Sequence, residues 1–170
     1  MSSRALVLWA LLALSCTACA GAGRGPSAAE LSHPLVGQPA PSFTRERSAG
    51  ASFSPPRGSI VIVTFWATWS APCKKALPQL QKLAQKYAGV VTIVGIDVDD
   101  DASGIEEFVS ISDVTFQVVW DEGKKLTGQW QPKTIPASFL VDGAGVVRFV
   151  HLGYDDGEDA EIEKELKTLL

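Results

Sequence analysis

The sequence predicts one α/β domain, a three-layer α/β/α sandwich around a mixed central sheet, and three observations lead there. Residues 59–67 (SIVIVTFWA) and 90–98 (VVTIVGIDV) are apolar, β-branched runs with little polar alternation. That is the pattern of strands buried on both faces. After the first run, Ala76, Leu77, Leu80, Leu83, Ala84 and Tyr87 recur at spacings of three and four, the period of a helix over 71–87. Near the C-terminus, residues 137–141 and 146–150 form two short apolar runs joined by Asp142-Gly143-Ala144-Gly145, a hairpin signal. Parallel strands linked through helices, with a hairpin added, make a mixed sheet covered on both sides.

The other elements follow in chain order. Arg4 precedes an uninterrupted apolar run over residues 5–14. It is short for a bilayer span and suits the core of a signal peptide, assigned to residues 1–20. Ala18-Cys19-Ala20 offers an A-x-A cleavage site. A bacterial lipobox is the other reading, with Cys16 or Cys19 lipidated; it is the preferred one, although neither cysteine has leucine three residues before it. Residues 21–34, rich in Gly, Ala, Ser and Pro, are expected to be a flexible linker, and 35–170 the folded domain. Residues 37–43 (GQPAPSF) enter it as a stiff extended segment, and Gly58 closes a Pro-rich loop. Gly89 ends the long helix. Beyond the acidic residues 99–101 the reading gives a short helix over 102–111, a strand over 116–120, helix over 122–130 and a final amphipathic helix over 158–170.

Composition narrows the function classes. The chain has 170 residues, 46% hydrophobic and 20% charged, enough for one core. Its net charge is −4, and the longest basic runs are the pairs Lys74-Lys75 and Lys124-Lys125, so no nucleic-acid partner is expected. His33 and His151 are far apart in sequence and no pair has ligand spacing, so no metal or other cofactor is expected. Asp97, Asp99, Asp100 and Asp101 lack the glycine and terminal glutamate of a calcium loop and read as a solvated turn. Glu161, Glu163 and Glu165 read as the solvent face of the last helix, and Trp120 and Trp130 as packing. A monomer is expected.

Once the signal segment is set aside, Cys73 is the single cysteine of the domain, so an internal disulfide is excluded. It lies in the stretch WATWSAPCKK, where a strand hands over to a helix. Ser70 suits the N-cap, since its hydroxyl can accept a first-turn N–H, and Pro72 is tolerated in that turn. Cys73 then falls in the first turn, where the helix end favours a thiolate while burial opposes one. A purely structural reading, with Ser70 capping and Cys73 packing, competes with a reactive one.

This stretch resembles the active site of the thioredoxin superfamily, in particular the extracytoplasmic TlpA/ResA-like thiol–disulfide oxidoreductases, also called redoxins. GQPAPSF is similar to their G-x-x-A-P-x-F segment and VTFWATWSAPC to their F-W-A-x-W-C-x-x-C site. Pro78, Ile135-Pro136, Gly145 and Gly153 fall where the family has its helix proline, its cis-proline, its hairpin glycine and a later glycine. The resemblance implies a thioredoxin-like fold over 35–170. It implies that Ser70 replaces the attacking cysteine and that Cys73 is the second, resolving one. Trp66, Trp69, Ala71, Pro72, Ile135 and Pro136 would flank the site and its substrate groove. Thr64 stands where thioredoxins often carry a buried carboxylate base.

Three functions are then open. The first is single-cysteine thiol–disulfide chemistry, in which Cys73 forms mixed disulfides with protein or small-molecule partners and an external thiol resolves them. The second is a catalytically silent, chaperone-like or adaptor module that binds an extended segment in the cis-proline groove. The third, ranked below both, is a peroxiredoxin-like peroxidase. That pattern has a proline where Trp66 stands and an arginine where Pro136 stands. In each case the domain works outside the cytoplasm, in the periplasm or cell envelope, with an N-terminal lipid as the alternative to free release.

Overall fold

A computed structural model describes residues 26–41, 45–46, 52–53 and 58–170. The signal segment with Cys16 and Cys19, and parts of the segments after Pro41, lie outside the described residues. The elements are α1 (Ala28–Leu31), β1 (Arg45–Glu46), β2 (Ser52–Phe53), β3 (Ile60–Trp66), α2 (Ala71–Lys86), β4 (Val91–Asp97), α3 (Ile105–Ile111), β5 (Gln117–Trp120), α4 (Lys125–Trp130), β6 (Ala137–Val141), β7 (Val147–Leu152) and α5 (Glu158–Leu169). The main sheet has the order β5-β4-β3-β6-β7. β3 is parallel to β4 and β4 to β5, whereas β6 is antiparallel to β3 and β7 to β6. β1 and β2 form a separate antiparallel pair of two residues each, too short to leave a period in the sequence.

β3 is central and buried along its whole length, which is why its sequence does not alternate. Its even-numbered residues Ile60 and Ile62 join Val91, Ile93 and Leu140 beneath Leu80 and Leu83 of α2 and Ile162 and Leu166 of α5. Its odd-numbered residues Val61, Val63 and Phe65 face the other way, under Leu126 and Trp130 of α4 and Leu35, Val36 and Ala40. The predicted three layers and mixed sheet are therefore present.

Over 27–33 the structure differs from the expected linker. Ser27 caps α1 through a capping box with Glu30, and Glu30 is buried and accepts the Leu152 N–H at 3.0 Å. His33 is buried too, its Nε2 3.1 Å from the Gln131 carbonyl. The S-x-x-E pattern that builds this turn lay inside a low-complexity composition that masked it. α3 starts at Ile105 rather than 102, because Asp101 Oδ1 takes the Ser103 N–H in a local turn first. The helix expected over 122–130 is broken: a 3₁₀ turn over Glu122–Lys124 precedes α4, with Gly123 at φ 70° and Lys124 at φ 55°. Asp121, fully buried, restarts the helix by accepting the N–H groups of Leu126 and Thr127 at 2.9 and 2.7 Å.

Candidate active site

The candidate site forms where β3 ends and α2 begins. Trp66 closes the strand, fully buried and stacked on Phe108 of α3 with ring centroids 5.0 Å apart. A Cβ at residue 95 would stand 2.9 Å from Trp66 Nε1, so glycine there admits the indole across β4. Trp69, in contrast, is 69% exposed beside Ser70. Ser70 has extended backbone at φ −81°, and its Oγ accepts the Cys73 N–H at 3.3 Å. Ala71 and Pro72 are exposed on the first turn, while Cys73 points inward with no exposure at all. It packs among Trp66, Leu77, Ile105 and Val114, with Ile135 against the same cluster.

The structure brings Ser70, Cys73, Trp66 and Ile135 together. The Ile135–Pro136 peptide bond is cis. Pro136 is buried, its carbonyl accepts the Gly153 N–H at 2.8 Å, and it lines a small recess open to solvent with Ala76, Gln79, Ser138 and Tyr154. Thr64 is fully buried and its Oγ1 accepts from the Ser138 hydroxyl at 3.1 Å, so this position supplies no base.

At Cys73 burial outweighs the hydrogen bonds that favour a thiolate. Burial raises the thiol above its ordinary range; the Ser70 and Ala67 hydrogen bonds lower it less, and the charges of Asp97 and Asp99 raise it again. The resting group is a protonated thiol.

Those two aspartates correct the reading of 97–101 as a solvated turn. Asp100 and Asp101 are exposed, but Asp97 has no exposure and Asp99 only 8%. Both Asp99 carboxylate oxygens lie 3.2 Å from the Thr68 N, so Asp99 holds the loop that presents Trp69 and Ser70. Trp120 Nε1 donates to the Asp99 carbonyl at 3.0 Å, and Lys124 Nζ donates to the Val98 and Asp99 carbonyls. Asp97 Oδ1 accepts the Asp99 N–H at 2.9 Å, and Oδ2 has no hydrogen-bond partner among the described residues. Burial, only partly relieved by that N–H, pushes the Asp97 carboxyl up to about 7. The missed signal was positional: Asp97 ends an apolar strand two residues beyond Gly95, on the face shared with Thr64 and Trp66. Among the described residues no group of histidine, cysteine and carboxylates is arranged to hold a metal ion.

Comparison with known proteins agrees with this geometry. Residues 36–150 match the AhpC/TSA family. The chain is 32% identical over 129 residues to the thiol-disulfide oxidoreductase ResA of Bacillus cereus, covering 74% of this chain and 75% of the relative. It is 27% identical over 135 residues to the thioredoxin-like protein YneN of Bacillus subtilis, covering 76% and 79%. Among solved structures, a thiol:disulfide interchange protein of the thioredoxin family from Chlorobium tepidum superposes with a TM-score of 0.67 at 26% identity, covering 77% of this chain and 94% of that one. The chain belongs to the AhpC/TSA family, among its ResA-like thiol–disulfide oxidoreductases of thioredoxin-like fold.

Proposed function

We propose that the protein carries out thiol–disulfide chemistry outside the cytoplasm as a single-cysteine, S-x-x-C member of its family. The observation behind this is the placement of Cys73, the one cysteine of the described residues, in the first turn of α2 with the Ser70 hydroxyl on its own N–H. A serine cannot attack a disulfide, so the two-cysteine shuttle is closed within this chain. Cys73 Sγ, once deprotonated, attacks one sulfur of a protein or small-molecule disulfide. The S–S bond breaks, the Cys73 mixed disulfide forms and the other sulfur leaves as a thiolate. An external thiol then attacks the partner sulfur of that mixed disulfide, Cys73 leaves as the thiolate, and a second external thiol displaces the first as a disulfide, so the two thiols together supply the two electrons that reduce the partner. The N-terminal segment supports export, with lipidation at Cys16 or Cys19 as the tether.

The complete burial of Cys73 favours a second reading, a binding module whose groove along Ile135 and Pro136 receives an extended segment. The peroxidase reading is weaker, because a thiol beside two acidic residues and raised by burial is the opposite of a resting thiolate. The test uses the full chain with C16S and C19S, leaving Cys73 as the sole thiol. An aromatic disulfide should label it in the folded state, and an external thiol should release the adduct. Labelling only after unfolding would sink the redox reading in favour of the binding module.

A further inference from the structure

The proposed chemistry needs somewhere to put the Cys73 proton, and Thr64 cannot take it. The next strand offers a carboxyl. Val91 and Ile93 of β4 face α2 and α5, so Gly95 and Asp97 share that side of the sheet by alternation. Asp97 is paired in register with Trp66, which shares one buried cluster with Cys73. Asp97 is wholly buried, with Oδ1 committed to the Asp99 N–H; among the described residues Oδ2 has no hydrogen-bond partner, and neither has Trp66 Nε1, which lies over Gly95. An ionisable group left with an unmatched buried oxygen is costly to a fold, and such groups gather where chemistry uses them. The charged groups acting on it are Asp99 after β4 and Lys124 before α4, and its own charge in turn raises the Cys73 thiol on α2.

We propose that Asp97 is the proton acceptor for Cys73, its Oδ2 taking the Sγ proton as the sulfur attacks a disulfide and giving it up afterwards to the departing thiolate. This inference rests on the single-cysteine reading above. The step balances: the S–H bond breaks as the O–H bond forms, the sulfur electron pair makes the new S–S bond, and the carboxylate is regenerated when the leaving sulfur is protonated. A carboxyl poised near 7 accepts at neutral pH and donates as readily.

A charge that only repels the thiolate and a group that takes its proton have opposite consequences when neutralised. In the full chain with C16S and C19S, Asp97→Asn should let the thiol titrate at lower pH, read by its ultraviolet absorbance. If Asp97 is the acceptor, the same variant nevertheless reacts with an aromatic disulfide at neutral pH at least roughly tenfold more slowly. Reaction as fast or faster, in step with the larger thiolate fraction, overturns the role of Asp97 while leaving Cys73 chemistry standing. A folded Asp97-containing protein that is inert overturns both. Should Asp97→Asn fail to fold, the infrared S–H stretch of Cys73 in the protein with Asp97 intact decides. It should shift as Asp97 ionises between about pH 5 and about pH 9, and an invariant stretch refutes the pairing.

Discussion

Neutralising Glu165 should destabilise the protein in acid far more than in base. His151 of β7 is 4% exposed, with Nε2 2.7 Å from Glu165 Oε2 and Nδ1 3.6 Å from Glu158 Oε1, both on α5. Burial alone would lower its pKa. The hydrogen bond and charge of Glu165, then the charges of Glu158 and Glu30, outweigh burial and raise it above the ordinary imidazole value. A histidine whose folded pKa exceeds its unfolded one contributes its full stability below about 6.5 and loses it as pH rises through the folded value. Removing one partner from a buried ion pair costs about 3–5 kcal/mol. Glu158 remains 3.6 Å away to compensate in part, so Glu165→Gln should cost about 2–3 kcal/mol in mild acid. For a domain of this size that lowers Tm by roughly 5–10 °C. In base the imidazole is neutral and glutamine can still hydrogen-bond it, so the loss should shrink to about 1 kcal/mol or less. Thermal melts of both proteins near pH 5.5 and near pH 9 test this. An equal loss at the two pH values would refute the argument, since the pair would then owe nothing to the histidine charge.

Two further substitutions bear on the site. Ser70→Ala removes the α2 cap and should cost about 1 kcal/mol by urea unfolding. It also removes the hydrogen bond that lowers the Cys73 thiol, so adduct formation should slow at neutral pH; unchanged labelling would mean the cap is structural only. Asp97→Asn should make the fold more stable in base. With a carboxyl raised from 3.8 to about 7, the folded state matches the unfolded one below 3.8 and falls behind as pH climbs to about 7. The full span is worth about 4 kcal/mol, so the variant should melt several degrees higher near pH 8 and alike near pH 3.5; a lower melting point in base would contradict a penalised buried charge.

What the sequence showed depended on whether a residue's partner is local. The 59–67 and 90–98 runs and the 71–87 period gave β3, β4 and α2 to within a residue or two, because burial on both faces or one face writes itself into adjacent positions. Ser70 was legible as a cap for the same reason, its acceptor serving an N–H three residues on. Asp97 and Asp99 were not, because four aspartates in five residues look like a solvated turn until the sheet register puts Asp97 beside Trp66. Nor was the burial of Glu30 and Glu165: their partners, the Leu152 N–H and the His151 ring, are 122 and 14 residues away. The break in the 122–130 helix needed Gly123 and Lys124 in left-handed backbone, which the buried Asp121 carboxylate then recaptures.

The replacement of one cysteine by serine changes what the remaining thiol must do. In a two-cysteine site the buried sulfur attacks a disulfide already joined to its neighbour, so it needs only local reach. In the single-cysteine chemistry proposed above, Cys73 would itself have to meet a foreign sulfur while fully buried, which would require the loop bearing Trp69 and Ser70, and the first turn of α2, to move. Asp99 is the main tie on that loop, through the Thr68 N–H, and it is itself fixed by Trp120 and Lys124. On the proposed reading, the same short acidic stretch would restrain access to the sulfur through Asp99 and take its proton through Asp97. A resting thiol that is both shut and protonated is protected from stray oxidation, and it becomes nucleophilic only when a partner opens the loop and a base lies underneath.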